Sequence, residues 1–284
     1  MKQIHNGVFS GGRVAAKRSL GQNFLTDKGK AEKIAMLMEA HSGDHILEIG
    51  PGCGDLTKYL LQTKALVHAI ELDPRALEVL DDELGSHPLL TLEHGDFLKF
   101  PLKDYAQKFI VEENEIYKPT LKVAGNIPYY ITSEILFRLF EQADVLERAV
   151  IMMQKEVAER ICAQPRTKEY GILSIAARFV SKPSIALKVP AGCFTPKPSV
   201  DSSVVVFDFT KRSVDIDQYK RIQPLVRAAF GQRRKMLSNA LKSYTQSIEQ
   251  EIPDSIKAML QKRAEELLPA DFVILADILI PIKK

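Results

Sequence analysis

A chain of 284 residues with 45% hydrophobic and 26% charged positions has the composition of a globular protein with room for a large domain and a smaller one, which excludes a disordered or fibrous class. No apolar run reaches the ~20 residues of a membrane-spanning helix; the best, Phe272 to Ile282, is broken by Asp277 and Pro281. The net charge of +3 is unevenly spread, because residues 211–242 carry nine basic against two acidic side chains and residues 1–30 carry six against one, a polarity that fits either a nucleic-acid footprint or a solvated face.

The first 18 residues include Lys2, Arg13, Lys17 and Arg18 but lack the apolar stretch of a signal peptide, so a cytoplasmic protein is expected. Asp27 reads as a helix start, with apolar spacing at Ile34, Met36, Leu37 and Met38. His45 to Ile49 is a short strand ending in a glycine cluster, and Leu56 to Leu61 the next helix. Leu66 to Leu72 is a second strand, and Pro74, at the favoured first position, opens a helix to about Leu84. Leu89–Leu92, Leu121–Ala124 and Arg148–Met153 supply three more strands, with helices expected in the gaps. Short apolar strands alternating with helices predict βαβ units and a parallel sheet, an α/β fold. Two β-rich runs follow, Ile185–Val189 and Val204–Phe209, joined by a loop with Pro190, Pro196 and Pro198. After Lys211 the pattern is helical only, so domains are expected at 1–210 and 211–284.

The cysteines, Cys53, Cys162 and Cys193, are odd in number and contain no Cys-x-x-Cys, which suits a reducing compartment. The six histidines lie at or before His94, and no metal is expected.

Gly50-Pro51-Gly52-Cys53-Gly54 follows the first strand and opens a helix, where glycines let a ligand approach the backbone. Its spacing differs from the Gly-x-Gly-x-x-Gly of dinucleotide sites. Glu71, at the end of the second strand, can accept both ribose hydroxyls of a nucleoside. Asp96, after the third, can accept a hydrogen bond from an adenine amino group. After the fourth strand stands Asn126-Ile127-Pro128-Tyr129. An adenine amine is a poor nucleophile because its lone pair is delocalised into the ring. The Asn126 side-chain oxygen and the Ile127 carbonyl can take its two protons, Pro128 fixes φ and brings no competing N–H, and Tyr129 can stack on the base. A sulfonium methyl donor would need neither metal nor strong base, leaving alignment and electrostatics as the catalytic terms.

The chain resembles the small-subunit ribosomal RNA adenine dimethyltransferase family. The match runs through Lys17-Arg18-Ser19-Leu20-Gly21-Gln22-Asn23-Phe24-Leu25, Glu48 to Gly52, Glu71-Leu72-Asp73, Gly125 to Tyr130, Gln154-Lys155-Glu156-Val157, Phe194 to Ser202 and Ala229 to Lys235. Ile127 stands where many members carry Leu, and Cys53 where they vary; both are tolerable, the first because its backbone would act. The resemblance implies a Rossmann-like S-adenosylmethionine-dependent methyltransferase domain and a small all-helical C-terminal domain. It implies a cofactor site at Asn23, Leu25, Gly50, Gly52, Glu71, Leu72, Asp96, Phe97 and Asn126, and a target adenine between Tyr129 and Phe194. The implied substrate is a pair of adjacent adenosines in the 3′-terminal hairpin loop of 16S rRNA, within a late small ribosomal subunit. Lys17, Arg18, Arg233, Arg234 and Lys235 would grip RNA phosphates. A monomer without a membrane partner is expected. Three rivals stand beside this reading: a large-subunit rRNA adenine methyltransferase of the macrolide-resistance type, a non-catalytic small-subunit assembly factor, and an NAD-dependent dehydrogenase.

Overall fold

The computed structural model describes all residues except 1–3, 6, 7, 10–12, 18, 19, 114, 115, 249, 250 and 281–284. It divides into two compact units, one of residues 1–158 and 184–210, the other of 159–183 and 211–284.

In the first unit α1 (Lys28–Leu37) is capped by Asp27, whose side chain accepts from the Lys30 N–H. It is followed by β1 (His45–Ile49), α2 (Thr57–Gln62) and β2 (Leu66–Glu71). Asp73 caps α3 (Pro74–Leu84), with the proline at its first turn where a missing N–H costs nothing. Then come β3 (Leu90–His94), α4 (Leu102–Gln107), β4 (Leu121–Asn126), α5 (Thr132–Phe140) and β5 (Arg148–Gln154). After α6 (Lys155–Cys162) and α7 (Ile172–Val180), the chain adds β6 (Lys182–Val189) and β7 (Ser202–Asp208).

The strands form one seven-stranded sheet ordered β6-β7-β5-β4-β1-β2-β3. The five strands β3, β2, β1, β4 and β5 run parallel, as the alternating pattern predicts, whereas β7 pairs antiparallel with β5. The short connection from β6 through the proline-rich loop has no crossover helix, which a parallel return would need. Ile46, Val67, Ala124 and Val150 from the sheet pack with Ala31, Ile34 and Ala35 of α1 and Leu60 and Leu61 of α2. Each such large side chain, when fully buried, stabilises by roughly 1.5–3 kcal/mol.

Two small pairings depart from the sequence expectation. Helices alone were expected between the third and fourth sheet strands, but Ile110–Glu113 and Ile116–Pro119 form an antiparallel hairpin there. Its β-branched and aromatic residues favour strand over helix. Phe194–Thr195 pairs antiparallel with Phe24–Leu25, Phe194 standing opposite Leu25.

The second unit is helical, with α8 (Ile216–Gly231) capped by Asp215, shorter helices after it, and a last helix at Pro269–Leu279. Its extended contacts after residue 211 reduce, among the described residues, to a single bridge between Met236 and Arg263. Tyr170 is fully buried, donates its hydroxyl to the Leu267 carbonyl at 2.9 Å, and meets Phe230 edge-on. Among the described residues no helix is long and apolar enough to cross a membrane.

Candidate functional site

Register brings the first-unit motifs together. Ile49 pairs with Gly125 of β4 on one side and with Ile70 of β2 on the other. The residues that follow, Gly50, Asn126 and Glu71, therefore emerge side by side at the carboxyl ends of three strands. The strand order reverses between β4 and β1, which is where open α/β sheets hold ligands. An open cleft lies there, and its walls include Asn23, Leu25, Gly50, Gly52, Glu71, Leu72, Asp96, Phe97, Asn126, Ile127, Pro128 and Tyr129.

The glycine loop is shaped for close approach. Gly50 and Gly52 sit at φ of 64° and 58°, in the left-handed region that side chains disfavour. At Gly50 an added Cβ would project into open space, whereas at Gly52 it would come within 3.0 Å of the Phe24 ring. The Gly52 N–H donates to one Glu71 oxygen at 2.9 Å and the Asp73 N–H to the other at 2.8 Å. Burial pushes the Glu71 carboxyl above its ordinary range against those two bonds, with the Asp73 charge adding to the rise. Each oxygen keeps a second lone pair to accept a hydroxyl.

Four acidic side chains line the cleft (Glu48, Asp55, Glu71 and Asp96), and among the described residues no basic one does. Glu48 is 1% exposed, and its Oε2 has no hydrogen-bond partner. Burial pushes its carboxyl up to about 8; the Thr57 hydroxyl opposes the rise while the charges of Glu71 and Asp55 add to it. The other three acids of the lining disfavour a pyrophosphate and suit a ligand of net positive charge. In the sequence Glu48 stands only as a member of the Glu48 to Gly52 motif, with no role of its own. The signal was a lone acid inside an otherwise apolar strand.

Asn126 is held by the segment before α1. Its Nδ2 donates to the Asn23 backbone carbonyl at 2.9 Å. A carbonyl only accepts, so nitrogen must face it and Oδ1 is left as the acceptor. That segment is anchored in turn: Gln22 Nε2 donates to Asp73 Oδ2 at 3.0 Å, and Gln22 Oε1 accepts from the Lys17 N–H at 2.8 Å. Burial alone would raise the Asp73 carboxyl, but hydrogen bonds from Arg75 and Gln22 and the Arg75 charge bring it down to about 2. Asp96 Oδ1 accepts from the Leu98 N–H at 2.9 Å. Tyr129 is half-buried with its hydroxyl 2.8 Å from Ser202 Oγ.

The remaining expected residues lie elsewhere. Phe194 does not line the cleft; it is 4% exposed and packed in the core with Leu25, Val189 and Val204. Its pairing opposite Leu25 fixes that position. Lys17 has its ammonium 3.6 Å from Asp73, and Arg18 lies outside the described residues. Arg233 belongs to the second unit, where Nε donates to Glu265 at 2.7 Å and a terminal nitrogen to the Thr167 carbonyl at 3.1 Å. Arg234 and Lys235 beside it are exposed. Among the described residues no group of three or more His, Cys, Asp or Glu is placed to hold a metal.

Residues 13–280 match the family model described as ribosomal RNA adenine dimethylase. The chain belongs to the ribosomal RNA adenine dimethylase family. A ribosomal RNA small subunit methyltransferase A of Ligilactobacillus salivarius is 39% identical over 275 residues, covering 93% of this chain and 90% of the relative. A solved dimethyladenosine transferase from Plasmodium falciparum superposes with a TM-score of 0.71 at 25% identity, covering 89% of this chain and 97% of that one. A 23S rRNA methyltransferase, ErmE, gives 0.66 at 25% identity, with 90% and 99% covered. The Rossmann-like methyltransferase expectation holds, and the chain is an rRNA adenine dimethyltransferase of the S-adenosylmethionine-dependent kind.

Proposed function

We propose that the protein dimethylates the exocyclic amines of two adjacent adenosines in the 3′-terminal hairpin loop of 16S rRNA, acting as a single chain on a late small subunit in the cytoplasm. The observation that carries the reading is that Asn126, its amide nitrogen committed to Asn23, lines the same cleft as four acidic side chains and, among the described residues, no basic group. The relative at 39% identity bears the small-subunit name, against 25% for the 23S enzyme, which favours small-subunit RNA over the macrolide-resistance type. That every charged side chain of the lining among the described residues is acidic speaks against a dinucleotide.

The residues present fit S-adenosylmethionine: an acid-lined cleft, a loop open above Gly50, and a buried Glu48 oxygen lacking a partner. Glu71 would take the ribose hydroxyls, Asp96 the adenine amino group, and Asn23, Leu25, Leu72 and Phe97 the remaining walls. The donor supplies a methyl group already activated on positively charged sulfur. Asn126 Oδ1 and the Ile127 carbonyl accept hydrogen bonds from the two N–H groups of the target amine and so concentrate its lone pair on nitrogen. Tyr129, steadied by Ser202, presents a ring to the base. Catalysis is then alignment in a preorganised polar site. Arg234 and Lys235 are assigned to RNA phosphates in a helical RNA-binding domain.

The test is transfer of labelled methyl groups to small subunits lacking the modification, with large subunits and free RNA as controls. Label confined to dimethyladenosine in the 3′-terminal loop supports the proposal. Label on large-subunit RNA selects the resistance-type alternative, and tight subunit binding without label leaves an assembly factor.

A further inference from the structure

Tyr130 has no part in the chemistry above, yet its position is unusual. Of the large hydrophobic side chains exposed among the described residues, only Leu72 and Tyr130 line the cleft. Tyr130 is 56% exposed, and an aromatic ring at the wall of a cleft offers a face on which a base can stack. Its ring rests on Gly21: a Cβ added there would lie 3.1 Å from Cδ1 and 3.3 Å from Cε1. Gly21 itself has a φ of 58°, so the seat beneath the ring is shaped by a residue without a side chain.

Tyr129 and Tyr130 are consecutive in a single 3₁₀ turn, Tyr129–Ile131. With three residues per turn their side chains leave the axis about 120° apart. Tyr129 is half-buried and tied to Ser202, while Tyr130 stands in solvent at the mouth of the same cleft. A nucleotide whose base enters the cleft keeps its neighbour attached by one phosphodiester, so the neighbouring base cannot stray far from that mouth. Unpaired bases stack readily on aromatic faces and with little regard to sequence.

We propose that Tyr130 is a stacking platform for the nucleobase next to the one being methylated, a binding subsite for single-stranded RNA outside the adenine pocket. The inference rests on the functional reading above and adds a subsite to it. It makes Tyr130 a positioning residue, acting on how the RNA is held rather than on the amine.

The experiment is steady-state methyl transfer to unmodified small subunits by the full chain, comparing wild type, Tyr130→Ala and Tyr130→Phe and varying subunit and S-adenosylmethionine separately. Loss of one stacking face on alanine substitution is expected to raise the KM for subunits about tenfold. The KM for S-adenosylmethionine should hold, and Tyr130→Phe should restore the subunit KM, because stacking needs the ring and not the hydroxyl. An unchanged subunit KM in Tyr130→Ala overturns the proposal. So does an equal defect in Tyr130→Phe, which would signal a hydroxyl contact, or a raised KM for S-adenosylmethionine, which would make Tyr130 part of the cofactor wall. Wild-type protein that methylates no rRNA adenine overturns the functional reading and this subsite with it; normal wild-type transfer matched by Tyr130→Ala removes the subsite alone.

Discussion

The amide nitrogen of Asn126 and the backbone carbonyl of Asn23 meet at 2.9 Å, joining the end of the fourth sheet strand to a segment more than a hundred residues earlier in the chain. The bond commits the amide nitrogen and leaves Oδ1 as the acceptor. Replacing Asn126 by alanine removes the acceptor and keeps the backbone turn. Methyl transfer is expected to fall at least tenfold, about 1.4 kcal/mol or more in barrier, with subunit binding near normal. Equal turnover in a labelled-methyl assay would end the amine-orienting role.

The basic residues after α8 should divide by their surroundings. Arg234 and Lys235 are exposed, and neutralising both is expected to weaken RNA binding at low salt and flatten its salt dependence. Arg233 is partnered with Glu265 and the Thr167 carbonyl. Arg233→Ala should instead cost stability, roughly 1 kcal/mol for a partly exposed pair with an added carbonyl bond. Binding isotherms over a salt series together with denaturant midpoints separate the two groups.

Glu48 should make the fold lose stability as pH rises. Its folded carboxyl titrates at about 8, far above the ~4.3 of an unfolded glutamate. Between those values the unfolded chain gives up a proton that the folded one keeps. Stability contributed by the protonated group is complete below about pH 4 and declines by about 1.4 kcal/mol per pH unit toward pH 8. The isosteric Glu48→Gln removes that slope, so guanidinium midpoints of the two proteins should diverge from pH 5 to pH 8, with the variant more stable at the upper end. Parallel curves would show that the carboxyl is ionised in the folded state.

Asp73 has the opposite sign. Its folded carboxyl titrates at about 2, below the ~3.9 of an unfolded aspartate. The stability it lends is complete above about pH 4 and is lost as pH falls toward 2. Asp73→Asn should therefore be clearly less stable than wild type at neutral pH, with the difference narrowing in acid. A gap that stays constant down to pH 2 would assign the loss to packing and not to charge.

Much of the cleft was legible because single residues at strand ends announce their chemistry. Gly50, Glu71, Asp96 and Asn126 follow short apolar strands, and parallel register alone brings those ends together. What local pattern cannot show is which distant segments touch. The Asn23–Asn126 bond and the pairing of Phe24–Leu25 with Phe194–Thr195 join parts of the chain far apart in sequence, and neither leaves a periodic trace. Phe194 illustrates the result: a proline-rich context and the family resemblance pointed to the base, while its strand pairing sets it in the core. Residues 159–183 join the second unit for a similar reason. Their helical spacing is the same in either unit, and only long-range contacts such as that between Tyr170 and Leu267 decide it.

The segment from Leu20 to Leu25 forms part of the cleft wall and also fixes the amide of Asn126. On the proposed function, grip on the donor and aim at the acceptor are thus inherited together. A lineage cannot trade one against the other by changing this stretch, and a descendant that loosens its hold on the donor here also loses its alignment. An inhibitor wedged between Asn23 and Asn126 would exploit the same linkage, and a resistant variant that displaced it would have to rebuild both functions at once.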